Sequence, residues 1–178
     1  SAHTGTGYAT VYPPQFINEW GSLAFLAIVL AMLFGGSMCS TAGGFKALRI
    51  GIMFKAFVQD IRRMTSPESI LRVEKYHHIR NVVMEDRHVR GAMLIISAYI
   101  LTFTVGTFAG LFAGYGLAPA MFEAASATGN VGLSSGITNP LMPDWLKVVY
   151  IFIMWTARLE FMSVFTFFGF AVRELKSI

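Results

Sequence analysis

Long apolar runs along this chain are cut by short polar and glycine-rich stretches, and the cuts are as informative as the runs. Residues 20–45 carry no charge, and about 20 apolar residues suffice for a helix to cross the hydrocarbon core of a bilayer. The second half of that span, GGSMCSTAGG at residues 35–44, holds four glycines and three hydroxyl residues. Each glycine costs a helix about 1 kcal/mol relative to alanine. The pattern therefore predicts a helix that breaks near Gly35 and Gly36, resumes near Phe45 and runs to about Ile61. A polar loop follows over residues 62–87. Within it, MTSPE marks a turn, with Thr65 or Ser66 able to cap a helix before Pro67. The stretch SILRVEKYHHIRNVVMED mixes β-favouring pieces with charges and predicts a small hairpin.

The next run, GAMLIISAYILTFTVGTFAGLFAGYG at residues 91–116, is free of charge and predicts a membrane helix. Its Gly106, Gly110 and Gly114 recur every four residues, a stripe that lets another helix backbone come close. LAPAMFEAASA then predicts a short amphipathic helix. Over residues 118–127 it would rise only about 15 Å, half a membrane. EAASATGNVGLSSG, residues 123–136, has no regular period and carries three glycines, one asparagine and four hydroxyl residues. GITNPLMPDW predicts a turn and a helix start. The last run, residues 145–172, predicts a membrane helix with Arg158 and Glu160 inside it. The expected fold class is an all-α membrane protein with one broken helix.

Composition supports this reading. The 178 residues are 54% hydrophobic and 13% charged, whereas about a quarter of residues are charged in a soluble protein. Ten of the fourteen Lys and Arg fall within residues 46–90, beside five acids. Lying between hydrocarbon-length segments, this basic stretch fits the positive-inside rule better than nucleic-acid binding. The loop and the basic carboxyl end (Arg173, Lys176) are expected on the cytoplasmic side, with the polar dip entering from outside. A single cysteine, Cys39, excludes an internal disulfide. The opening SAHTGTGYATVYPP has neither the basic nor the apolar region of a signal peptide, and the chain reads as if it starts in the middle of something.

Lipid cannot satisfy a bare N–H or C=O, so irregular backbone at membrane depth must be buried in protein or line water. A half-helix followed by TGNVGLSSG suits the second case. Glycines let the backbone turn its carbonyls toward one axis, where they replace the water shell of a monovalent cation. An ordinary outer loop rich in turn residues is the bland alternative. Thr6, Gly7 and Tyr8 also form a hydroxyl–glycine–aromatic run ahead of a membrane helix, as Asn130, Val131, Gly132 and Leu133 do. The order of filter-like loop and helix thus occurs twice, and repeats are common in transport proteins. The expected ion-binding residues are Gly5, Thr6, Gly7 and Tyr8 in the first loop, and Gly129, Asn130, Val131, Gly132 and Leu133 in the second.

TGTGYAT, GGSMCSTAGGFKALRI, SATGNVGLSSG and TARLE, in this order and over nearly the whole chain, resemble the superfamily of Trk, Ktr and HKT potassium transporters. The resemblance implies four membrane–pore-loop–membrane repeats in one longer chain. It makes residues 1–61 the end of a third repeat, 62–90 a cytoplasmic basic loop and 91–178 the whole fourth repeat. Gly7 and Gly132 would be the central filter glycines. Both loops depart from the TVGYG of single-repeat potassium channels, as that superfamily's do. The resemblance also implies a multi-pass protein of the cell's inner membrane, working as a homodimer with a nucleotide-binding regulatory subunit on its cytoplasmic face. The rest of the transporter and membrane lipid are the other expected partners. No cofactor is expected beyond the potassium ion.

An arginine at mid-membrane costs at least about 2.5–3.5 kcal/mol on insertion scales, so Arg158 should face water or a partner. Glu160 lies two residues on and cannot face it across a helix; it is expected to brace a neighbouring element. By resemblance, Arg158 points into the pore below the filter. Gly35, Gly36, Ser40, Thr41, Gly43 and Gly44 would belong to a gate beside it, with Arg158 and Glu160. A kink that serves packing alone is the alternative. His77 and His78 are adjacent and cannot converge on one metal, and His3 is read as flanking the pore. Glu123 and Asp144 are placed near the outer mouth, as cation attractors or as solvated charges. Two rival functions remain at this level: a non-conducting structural membrane subunit, and an intramembrane enzyme. The second lacks a metal pattern such as H-E-x-x-H.

Overall fold

The computed structural model describes residues 1–9, 15, 19–36, 43–65, 75–78, 80–83, 86–159 and 161–176. Ser40, Thr41 and Glu160 lie outside the described residues. The first helices are α1 (Ser22–Leu33) and α2 (Ala47–Thr65), followed by the strands β1 (Lys75–His78) and β2 (Arg80–Val83). Then come α3 (Asp86–Phe112), α4 (Leu117–Gly129), α5 (Asp144–Arg158) and α6 (Phe161–Lys176). The strands pair antiparallel with Lys75 opposite Val83 and His78 opposite Arg80, so the expected hairpin forms in the basic loop.

The first apolar run is broken as its glycines require: α1 ends at Leu33 and α2 begins at Ala47. The last run differs from the expectation of one membrane helix. It is cut after Arg158, and α6 leaves α5 at 101°. Just before the cut, the Thr156 hydroxyl donates to the carbonyls of Phe152 and Ile153 at 3.0 Å each. Such back-bonding bends helices. Among the described residues, α3 alone is long and apolar enough to cross a membrane, and α5 and α6 meet that test together as a bent pair.

At 27 residues, α3 is about 40 Å long and forms the spine. The glycine stripe divides its labour. A Cβ on Gly106 would stand 3.1 Å from the Ala124 Cβ, and one on Gly110 would stand 2.9 Å from the Ala120 Cβ. Those two glycines therefore bring α4 against α3 nearly backbone to backbone. Gly114 instead stops the helix at φ +88°. Its N–H donates to Leu111 at 2.9 Å, and the N–H of Tyr115 donates to Gly110 at 3.2 Å, the paired bonds of a Schellman cap.

The short helix α4 is the most enclosed element, cradled by α1, α3 and α5. Ala120 and every residue from 122 to 129 are buried. In lipid this packing gains little from the hydrophobic effect, and close van der Waals contact between small residues does the holding. By contrast, α6 leaves Phe165, Phe167, Phe168 and Phe170 exposed, an arrangement that carries no penalty against lipid.

Candidate ion-conduction site

Two loops meet beside the carboxyl end of α4. In residues 1–9, Gly5 and Gly7 take φ +66° and +76°. The Thr6 N–H closes back on the Ser1 carbonyl at 3.3 Å, and the Thr4 and Thr6 hydroxyls lie 2.7 Å apart. After α4, Asn130 enters the left-handed region at φ 51°, and Gly132 follows at φ +89°. Asn130 caps α4: its N–H donates to Ala127 at 3.3 Å, and the N–H of Val131 donates to Ser126 at 2.9 Å. The side chains of Val131 and Leu133 enter the cluster of Val29, Met32, Phe122 and Ala125. Gly132 between them is left exposed. The loop thus anchors Val131 and Leu133 and presents the glycine between them.

The two glycine loops touch. A Cβ on Gly7 would run into the Val131 carbonyl, and one on Gly132 would come within 3.7 Å of the Gly7 Cα. Gly7 is required twice over, by its positive φ and by the contact, and Gly132 by its φ of +89°. Tyr8 is 80% exposed.

The glycine-rich break adjoins the same place. His3 Nδ1 lies 2.6 Å from the Phe34 carbonyl, where α1 ends. Gly35 and Gly43 face each other so closely that a Cβ on Gly35 would meet the Gly43 carbonyl. The Phe45 N–H donates to Leu33 at 2.8 Å, closing the two ends of the break. Gly43 then donates its N–H to the Gly129 carbonyl at 3.1 Å. A Cβ on Gly43 would stand 2.7 Å from that oxygen, and one on Gly129 would stand 2.6 Å from the Met32 carbonyl. Gly35, Gly43 and Gly44 are buried and Gly36 is half-buried. Gly129 therefore ties the break to α4 through its carbonyl and is not simply part of an open loop wall.

Glu123 is the residue that sequence reasoning misjudged. Not a solvated charge, it is 4% exposed and holds the loop after Gly132. Its carboxyl group accepts from Ser134 Oγ at 3.0 Å, and from Ser135 N and Oγ at 2.9 and 3.0 Å. Thr138 Oγ1 completes the set. The only sequence signal was its placement in the short helix, 11 residues before a serine pair and 15 before Thr138. Asp144, by contrast, is exposed and pairs with Lys147 at 2.8 Å.

A cavity of about 420 Å³ opens beside Gly132, lined also by Glu123, Asn130, Ser134, Tyr150 and Met154. Arg158 ends α5 one helical turn beyond Met154, on the same face and about 6 Å further along the axis. It is exposed. Along this face the glycine-loop backbone adjoins the cavity, and the Arg158 position follows one helical turn past Met154.

This fold and site belong to a class of helical membrane proteins in which a half-membrane helix and a glycine loop stand between membrane helices. A family model described as TrkH, cation transport protein, matches residues 1–174; the chain belongs to that family. It is 30% identical to an uncharacterized cation transporter of Methanocaldococcus jannaschii, over 95% of this chain and 34% of that protein. It is 28% identical to the Trk system potassium uptake protein TrkG of Escherichia coli, over 93% of this chain and 33% of that one. The crystal structure of the potassium transporter TrkH from Vibrio parahaemolyticus superposes with a TM-score of 0.73 at 22% identity, covering 93% of this chain and 34% of that one. The chain spans about a third of the length of these relatives.

Proposed function

We propose that this chain is the carboxyl-terminal part of a cation transporter that takes up potassium, its residues 1–61 ending a third repeat and 91–178 forming a fourth. The observation that carries the reading is the meeting of Gly7 and Gly132, both at positive φ, backbone to backbone beside a buried half-helix. In this reading Gly5, Thr6, Gly7 and Tyr8 and residues 129–133 line two walls of a four-walled filter. A large monovalent ion sheds its water there at modest cost. The break at residues 35–44 and Arg158 form the gate beneath, where a fixed positive charge opposes cations. The remaining walls come from the rest of the transporter. The basic loop of residues 46–90 and the carboxyl end face the cytoplasm of a cell whose inner membrane holds the protein. Anionic lipid and a nucleotide-binding regulatory subunit meet that face, and the transporter works as a homodimer. The potassium uptake named for the bacterial relatives favours transport over catalysis.

The test uses the full-length transporter in liposomes, with rubidium and sodium flux measured side by side. Gly132→Ser should abolish preference for rubidium, because it strains a position held at φ +89° and narrows the ion path. Wild-type flux and preference with Gly132 rewritten would support the non-conducting structural subunit instead.

A further inference from the structure

The break in the first apolar run and the bend in the last are distant in sequence, yet one side chain joins them. Tyr99 of α3 is 1% exposed. Its hydroxyl donates to the Ala157 carbonyl at 3.2 Å. That carbonyl belongs to the last turn of α5, whose helix ends at Arg158. The residue four further on, Phe161, already belongs to α6, which departs at 101°. Carbonyls of a terminal turn lack helical partners, and lipid offers none. Tyr99 thus satisfies an acceptor created by the bend, one peptide before Arg158.

The ring of Tyr99 makes two further contacts. Phe161, the first residue after the bend, packs edge-on at 4.7 Å and 86°. Phe45, the first aromatic after the glycine-rich break, packs edge-on at 5.8 Å and 68°. Phe45 in turn meets Phe34, at the other end of that break, at 6.2 Å. Ile95, Ala98, Tyr99, Ala157 and Phe161 form one cluster, with Phe45 packed against it.

We infer that Tyr99 is a positioning residue that clamps the Arg158 bend to the glycine-rich break, so that the two shift together and not independently. Its hydroxyl sets the direction of the peptide leading into Arg158, and its ring registers Phe45 against Phe161. The functional side of this inference rests on the gate reading above. The mechanical side does not.

The experiment separates them. In the full-length transporter on a cysteine-free background, spin labels are placed at Ala47→Cys and Met162→Cys, both exposed positions. Distances are read by double electron–electron resonance, and rubidium flux is measured on the unlabelled protein. Tyr99→Phe keeps the ring contacts with Phe45 and Phe161 and removes the hydroxyl that bonds Ala157. Tyr99→Leu removes all three. Tyr99→Phe should raise flux about two- to tenfold, the range one neutral hydrogen bond supports, and add nothing once Arg158→Ala is present. Tyr99→Leu should also broaden the label distances. Unchanged distances in Tyr99→Leu, or a Tyr99→Phe effect equally large without Arg158, would overturn the clamp. Broadened distances with flux indifferent to Arg158→Ala would uphold the clamp and overturn the gate.

Discussion

Glu123→Ala should loosen the loop that carries Gly132 without touching the loop's own sequence. The Glu123 carboxyl group receives three hydroxyls and one backbone N–H, that of Ser135 at 2.9 Å. The hydroxyls can turn to other acceptors; Ser135 Oγ, for example, already reaches the Pro119 carbonyl at 3.2 Å. The backbone N–H cannot turn. Leaving a buried donor unmet costs about 1–3 kcal/mol, and the vacated side-chain volume adds about 1–2 kcal/mol. The total, about 2–5 kcal/mol, falls on residues 134–138, immediately after the glycine. Since 1.4 kcal/mol is about tenfold in an equilibrium, losing even half of that total from ion discrimination would lower rubidium-over-sodium preference about fivefold or more. Glu123→Gln is the control. Its amide oxygen can keep the Ser135 N–H while Thr138 turns to accept from the amide, so the loss should stay within about 1–2 kcal/mol. Paired flux measurements in liposomes and a thermal melt of the full-length protein read both effects. Wild-type selectivity and melting in Glu123→Ala would refute the claim that this carboxyl group holds the loop.

Two other expectations follow from close approaches. Gly43→Ala would place a methyl 2.7 Å from the Gly129 carbonyl, pushing the break off α4; several-fold higher rubidium flux at equal expression is expected, and equal or lower flux would count against a gate at this contact. Gly114→Ala strains a cap at φ +88° that has open space around it. It should lower stability by about 1 kcal/mol while leaving flux per folded molecule unchanged, and a change in selectivity there would contradict the placement of the site.

The apolar runs, the glycine-rich interruption, the half-length helix and the hairpin were legible in the chain itself. Each follows from local rules: run length against bilayer thickness, glycine against helix, and β-favouring residues between charges. Gly7 and Gly132 were named as candidate filter glycines by resemblance to the transporter superfamily, and both sit at positive φ. Three things were decided elsewhere. The last apolar run was read as one helix, since no proline or glycine marks a break at Arg158; the bend coincides with Thr156 back-bonding and a Tyr99 contact 58 residues away in sequence. Glu123 looked like a surface charge until the loop folded its hydroxyls onto it. The glycine stripe on α3 looked uniform until α4 took two of its members and the helix end took the third. Local sequence sets what a segment can form. Which carbonyls lose their partners, and which side chains arrive to replace them, depends on neighbours that only the folded chain brings within hydrogen-bonding distance.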